Sequence, residues 1–84
     1  MYEGDFKLNK WEGKGILYQE NGLKIYEGNF KEGFRIGKGI IYYKNGKKQY
    51  EGQIKKGLKD GKGILYDEDE NKIYEGNFIN DSIL

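Results

Sequence analysis

Histidine, cysteine and proline are absent from this chain of 84 residues, as are threonine, alanine and valine, and the only serine is Ser82. Without cysteine the chain has no thiolate nucleophile, and without histidine it lacks the side chain that titrates near neutral pH. The usual nucleophiles and proton shuttles of enzymes are therefore missing. We predict a protein that is not an enzyme and that has neither a cofactor nor a catalytic or metal site.

Long apolar runs and an excess of one charge are also missing. The longest apolar run, residues 40–43, is far shorter than the roughly 20 residues that cross a bilayer. Asp5 and Lys7 stand where the apolar part of a signal peptide would begin, so we take the cytoplasm as the default location. The net charge of +1, from 15 basic and 14 acidic side chains, provides no concentrated positive field. We therefore expect no direct binding of nucleic acid.

The chain does contain a regular repeat. The triplet Tyr-Glu-Gly starts at Tyr2, Tyr26, Tyr50 and Tyr74, with a spacing of 24 residues, and all 14 glycines recur in register with it. Units of this length cannot bury their own apolar face and must stack on their neighbours. We predict one repeat domain over residues 1–84, with repeats at 2–25, 26–49 and 50–73 and a truncated one at 74–84.

Each unit has the pattern of a strand, a glycine-bearing loop, a second strand and a tight turn. In the second unit the first strand starts at Tyr26, the loop covers residues 31–36 and the second strand covers 37–43. Asn45 and Gly46 then favour a two-residue type I′ turn. This turn places Ile41 opposite Tyr50 and Gly39 opposite Gly52, and the same turn at Asn21-Gly22 places Gly15 opposite Gly28. In the third unit Asp69-Glu70 replaces Asn-Gly, so we expect a longer and looser turn there.

Glycines inside strands weaken a sheet, so their number here needs a reason. We predict that the rings of tyrosine and phenylalanine lie flat across the bare backbone at neighbouring glycines. The structural residues of this prediction are Tyr26, Gly28, Phe30, Gly37, Gly39, Tyr50, Gly52, Tyr74 and Gly76. The predicted fold is all-β, a single elongated, twisted antiparallel sheet of about seven strands.

Two surfaces are candidates for partner binding. One is the sheet face opposite the structural rings, which carries Tyr18, Tyr42 and Tyr66 beside isoleucines, since tyrosine provides contact area at low entropic cost. The chain curling over this face is the alternative, because large bare apolar patches are unusual.

The other surface is the loop edge, where Trp and Arg are typical of binding hot spots. Its candidates are Trp11, Phe34, Arg35, Leu58 and Lys59. The alternative there is that each packs beneath its own loop, and the test we expect to separate the two is Trp11→Ala, which spares folding if the edge binds a partner.

The pattern of residues 26–30, a loop with Gly33, and then Gly37-Lys38-Gly39 closely resembles the MORN repeat. The unit here is one residue longer than the usual 23, which is similar to the MORN-variant repeats of bacterial antitoxin-like proteins. The resemblance implies stacked β-hairpins used for protein binding, oligomerisation and sometimes lipid association.

From these features we expect a non-catalytic protein-binding module. The chain starts at Met1 and carries only repeats, so the concrete expectation is a small stand-alone inhibitor. It would be antitoxin-like or anti-CRISPR-like and would block an effector such as a nuclease or toxin by occupying its surface. Alternatives are a scaffold, a homodimer through the sheet edges and a peripheral phospholipid binder. For the last, Lys14, Lys38 and Lys62 form a basic row that Glu27 and Glu51 would largely neutralise.

Overall fold

The structure is a computed structural model that describes residues 1–83 as one antiparallel sheet whose eight strands lie in chain order, with no helix in that range. Each strand therefore pairs with the strand before it and the strand after it. The strands are β1 (Tyr2–Lys7), β2 (Lys10–Tyr18), β3 (Lys24–Lys31), β4 (Phe34–Tyr42), β5 (Lys48–Lys55), β6 (Leu58–Tyr66), β7 (Lys72–Ile79) and β8 (Ser82–Ile83). The prediction of a single all-β sheet of stacked hairpins is confirmed. The short β8 is the strand beyond the seven expected.

The sheet is a single layer. Its principal extents are 38 × 28 × 14 Å. The longest axis runs across the strands, because eight strands lie side by side about 4.8 Å apart. Both faces of the layer are therefore open to a partner, and residues 1–83 do not fold back to cover either one.

A row of paired glycines crosses the sheet. The predicted pairs Gly15 with Gly28 and Gly39 with Gly52 are confirmed, as is Ile41 opposite Tyr50. Because a slip of one residue would move every side chain to the other face, this register is strongly specified. The full row is Gly4, Gly15, Gly28, Gly39, Gly52, Gly63 and Gly76, each paired with the next.

The tyrosine of each Tyr-Glu-Gly triplet lies over this glycine row. A methyl group on Gly39 would lie 2.6 Å from Cε1 and 2.7 Å from Cζ of Tyr26, so the ring occupies the space of a missing side chain. Tyr26 and Tyr50 are fully buried by this arrangement. The Tyr26 hydroxyl also donates a hydrogen bond to the carbonyl of Asn29 at 3.2 Å. We call the side of the sheet that carries these rings the aromatic face.

Phe30 and Gly37 do not take part in the ring-over-glycine contact that was predicted for them. Phe30 covers no glycine; its ring meets the ring of Tyr26 edge-on, with centroids 5.2 Å apart. Gly37 has no ring over it, and its φ of 66° is a left-handed conformation that favours glycine. It lies where β4 bulges away from β3, since Gly39 pairs with Gly28 but Ile36 pairs with Asn29.

The two-residue turns join the strands at the opposite ends from those predicted. Residues 31–36 form no extended loop, because Lys31 pairs directly with Phe34 across Glu32 and Gly33. Both turn residues have positive φ, 52° and 86°, as a type I′ turn requires. The same two-residue turn recurs at Leu8 and Asn9, at Lys56 and Gly57, and at Asn80 and Asp81.

At the Asn-Gly edge the prediction of a two-residue turn is wrong. The Tyr43 amide donates to the Lys47 carbonyl at 2.8 Å and closes a three-residue loop. In that loop Gly46 has a φ of 86°, while Asn45 is not among the residues with positive φ. Gln49 then has no partner across from it, because Tyr42 pairs with Lys48 and Ile41 with Tyr50. This bulge restores the register that the longer loop would otherwise shift by one residue.

The third of these turns is not looser than the others. The Asp67 amide donates to the Asn71 carbonyl at 2.9 Å, which reproduces the three-residue loop, and Glu70 takes the glycine position with a φ of 68°. The carboxylate of Asp67 accepts hydrogen bonds from the amides of Asp69 and Asn71, each at 2.9 Å. These bonds, the one from Asn71 first, lower the pKa of Asp67 and hold the loop although glutamate disfavours positive φ.

Candidate functional site

The face opposite the aromatic face contains an open groove of about 890 Å³ that runs across the strands from β1 to β6. We call this side the groove face. Its floor consists of the isoleucine row, defined as Ile16, Ile40 and Ile64, together with the glycine row from Gly4 to Gly52. All three isoleucines are half-buried. Each isoleucine pairs with a glutamate on the next strand, so apolar and charged side chains alternate across this face.

One side of the groove is bordered by the predicted tyrosines Tyr18, Tyr42 and Tyr66, which we call the tyrosine row; all three are half-buried. Tyr42 pairs with Lys48, and Tyr18 pairs with Lys24 on the neighbouring strand. The hydroxyl of Tyr42 donates a hydrogen bond to Oε1 of Glu27 at 3.1 Å. Burial, and next this bond to a carboxylate, raise the pKa of Tyr42.

The glutamates between the isoleucines are held by lysines of their own strands. Lys24 Nζ lies 2.9 Å from Oε1 of Glu27, and Lys48 Nζ lies 3.4 Å from Oε1 of Glu51. The hydrogen bond from Lys24 lowers the pKa of Glu27, and the same bond raises the pKa of Lys24. On this side of the groove positive and negative charges therefore cancel locally.

The other side of the groove carries a lysine row, Lys14, Lys38 and Lys62, all exposed. Within residues 1–83, no carboxylate lies within 4.0 Å of these three ammonium groups. The expectation that Glu27 and Glu51 neutralise the row is wrong, because those carboxylates are paired with Lys24 and Lys48 instead. The lysine row thus keeps its charge.

Three of the predicted loop-edge residues lie on the aromatic face. Trp11, Arg35 and Lys59 occupy equivalent positions, 24 residues apart, and each one covers the tyrosine ring of its own repeat. The ring of Trp11 stacks on Tyr2 with centroids 4.7 Å apart and planes 9° apart. The guanidinium carbon of Arg35 and the ammonium of Lys59 lie 5.5 and 5.7 Å from the ring centroids of Tyr26 and Tyr50. These contacts agree with packing against the residues' own hairpins, and a role in partner binding stays a prediction.

The other two loop-edge residues lie on the groove face. Phe34 pairs with Lys31 and Leu58 with Lys55, and alternation along the strands turns them to the side opposite Phe30. Phe34 is 53% exposed and Leu58 39% exposed. The structure therefore brings Phe34 and Leu58 to the same face as the tyrosine row, and separates them from Trp11, Arg35 and Lys59.

The described part of the chain contains neither a cluster of metal-ligating side chains nor a membrane-spanning helix. No group of three or more His, Cys, Asp or Glu side chains in residues 1–83 could hold a metal ion. The same residues contain no helix long and apolar enough to cross a membrane.

Comparison with known proteins agrees with this geometry. The family model of the MORN repeat matches residues 2–24, 26–48 and 50–72. A comparison with curated proteins finds no match. The matched segments leave out Ile25 and Gln49, which are the bulged residues of β3 and β5. The additional residue of each 24-residue unit is therefore accommodated as a β-bulge, and the chain belongs to the MORN repeat family.

Proposed function

We propose that this MORN repeat protein is a protein-binding module whose docking surface is the groove face. MORN repeat proteins are generally non-catalytic binding or scaffold modules. The observation that carries the proposal is the open groove of about 890 Å³ with an apolar floor on a single-layer sheet. A concave apolar surface with a few polar groups on its sides is typical of binding sites.

The concrete role we propose is stoichiometric inhibition of an effector enzyme in the cytoplasm, such as a nuclease or toxin. The groove runs from β1 to β6, about 24 Å for strands 4.8 Å apart, so a partner docked in it would be contacted over that distance. Half-buried tyrosines along the groove support this role, since such rings give large contact area with little loss of conformational entropy.

The experiment compares capture from native lysate by three proteins: wild type, Ile40→Lys and Phe6→Lys. Ile40 is half-buried in the groove floor and lies between Glu27 and Glu51, so a lysine there removes the apolar floor at a position flanked by carboxylates. Phe6 is 61% exposed on the aromatic face and serves as the matched control. We expect Ile40→Lys to lose the captured protein and Phe6→Lys to retain it. Equal capture by all three would contradict the proposal.

The captured enzyme is then assayed with and without equimolar wild-type protein. Loss of its activity supports inhibition. Unchanged activity despite binding through the groove face contradicts inhibition and supports the scaffold role instead. Flotation of the wild-type protein with anionic liposomes, in the absence of any captured protein, would favour a membrane-binding role over both.

A further inference from the structure

Equivalent side chains on the groove face recur at a fixed distance. The isoleucine row and the lysine row each recur on every second strand, which corresponds to about 9.6 Å for strands 4.8 Å apart. A partner that contacts all three repeats must therefore present similar side chains at about that interval.

The two sides of the groove differ in how their charged side chains are paired. On the tyrosine side Glu27 and Glu51 are paired with lysines at 2.9 and 3.4 Å, and Glu3 accepts a hydrogen bond from the hydroxyl of Tyr18 at 3.2 Å. The lysine row has no carboxylate partner among residues 1–83. Towards the tight turns, Glu12 accepts the amide of Glu32 at 2.9 Å and Asp60 that of Asn80 at 3.3 Å, and neither carboxylate forms an ion pair with the lysine row. The lysine side therefore calls for acidic side chains on the partner.

The backbone of the groove floor is not free to pair with a partner. Its amides and carbonyls are used in the ladders between β1 and β7. An occupant must satisfy its own backbone groups, which an α-helix does internally. The tyrosine and lysine rows lie four residues apart along the strand, about 13 Å, which fits a helix about 10–12 Å in diameter.

The spacing of a helix matches the repeat. Seven residues of an α-helix rise about 10.5 Å, within about 1 Å of the two-strand interval of 9.6 Å. An extended strand places side chains on one face every 6.6 Å or so, which does not match. A helix with apolar side chains at seven-residue intervals would therefore meet Ile16, Ile40 and Ile64 in turn.

We propose that the groove binds an acidic amphipathic helix, with an apolar residue every seven positions on the isoleucine row and acidic residues facing the lysine row. This inference rests on the proposed function and names the chemistry of the partner segment. Recognition then follows the helix-in-groove mode, in which apolar anchors provide affinity and flanking charges fix the direction and register of the helix.

The test uses the full chain and a 21-residue, fluorescently labelled helical peptide with leucine at every seventh position and glutamate three residues after each leucine. Anisotropy titrations measure its affinity for wild type, for the double variant Lys38→Glu/Lys62→Glu and for Lys47→Glu, an exposed lysine in the Asn-Gly turn. We expect the double variant to bind at least about tenfold more weakly and the control to bind as wild type does. A second peptide, with lysine replacing each glutamate, should bind the double variant better than wild type.

Three outcomes would overturn the inference. They are no saturable binding of the helical peptide, equal affinity of wild type and the double variant, and tighter binding of an acidic polyproline peptide or of phosphatidylserine vesicles. Footprinting of the captured complex separates this failure from that of the proposed function. If Tyr42 is protected in that complex while the peptide does not bind, the groove is a docking surface for a partner of other chemistry. If Tyr42 is not protected either, both proposals fail.

Discussion

The ring of Tyr26 on β3 lies across Gly39 on β4, so close that a methyl group on this glycine would lie 2.6 Å from Cε1 of the ring. The same relationship holds between Tyr50 and Gly63 and between Tyr2 and Gly15. In each case the ring joins the two strands of one repeat and leaves the opposite side of the glycine open as groove floor. One contact thus stabilises the sheet and also shapes its candidate docking surface.

Replacing Gly39 by alanine should destabilise the protein. The added methyl group overlaps the Tyr26 ring and must displace it, and overpacking of this kind costs about 1–3 kcal/mol of unfolding free energy. Urea denaturation followed by circular dichroism measures the loss. The neighbouring Lys38→Ala is the control, because Lys38 is exposed and its truncation should change stability little. Equal stability of both variants would contradict the role assigned to the ring.

The buried tyrosines should make stability fall at alkaline pH. Burial raises the pKa of Tyr26, and that of Tyr50, above the ordinary 10.0. Because the folded-state pKa is raised, the contribution of the neutral phenol is fully present below pH 10 and is lost as pH rises through the folded value. Tyr26→Phe should cost about 1 kcal/mol at pH 7, through the lost bond to Asn29. It should also lose less stability than wild type between pH 10 and pH 11 or so; parallel pH profiles would rule this out.

Glu70→Gly should stabilise the protein. Glu70 has a φ of 68°, and its equivalents Gly22 and Gly46 have φ of 89° and 86°. Relief of the left-handed strain exceeds the entropy that glycine adds to the unfolded chain, and we expect a gain of about 0.5–1 kcal/mol. The reverse change, Gly46→Glu, is the matched control and should be destabilising. A loss of stability in Glu70→Gly would show that the bonds of Asp67 depend on the glutamate.

Trp11→Ala should destabilise the first repeat, contrary to what the sequence leads one to expect. The indole stacks on Tyr2 at 4.7 Å and meets Phe30 edge-on at 5.5 Å. Because it is half-buried, we expect a loss of about 2 kcal/mol, below the range for fully buried tryptophan. Phe34→Ala, at a 53% exposed position, should leave the midpoint of urea unfolding nearly unchanged. A Trp11→Ala protein as stable as wild type would support the loop-edge surface.

The sequence predicts the array and the register of its hairpins well. The spacing of Tyr2, Tyr26, Tyr50 and Tyr74 reflects a repeated contact of a ring with a bare backbone, and such a contact needs the same residues at the same interval. The pairing of Gly39 with Gly52 is predicted from a two-residue turn at Asn45 and Gly46, and it holds because the bulge at Gln49 compensates for the longer loop.

The turns were not predicted, because Asn-Gly is compatible with more than one hairpin. Asn45 and Gly46 suit a type I′ turn, but Gly46 alone also supports a three-residue loop with a compensating bulge at Gln49. Only the pairing of Tyr42 with Lys48 distinguishes the two. Conversely, Leu8 is not typical of a type I′ turn, yet Leu8 and Asn9 both have positive φ between the paired Lys7 and Lys10.

The candidate site was predicted in part. The tyrosine row followed from strand alternation, whereas the charge of the lysine row was missed. Its neutralisation seemed to follow from the nearby glutamates, but Glu27 lies three residues after Lys24 and pairs with it instead. That spacing, repeated at Lys48 and Glu51 and at Lys72 and Glu75, is the signal in the sequence that would have revealed the free lysines.

The central claim is that the groove face, and not the aromatic face, meets the partner. Hydroxyl-radical footprinting of the purified complex with the captured protein tests it most directly, because both faces carry reactive rings. We predict that Tyr18, Tyr42 and Tyr66 become protected on binding, while Phe6 and Trp11 keep the reactivity that they have in the free protein. Protection of Phe6 and Trp11 with no change at the tyrosine row would contradict the account.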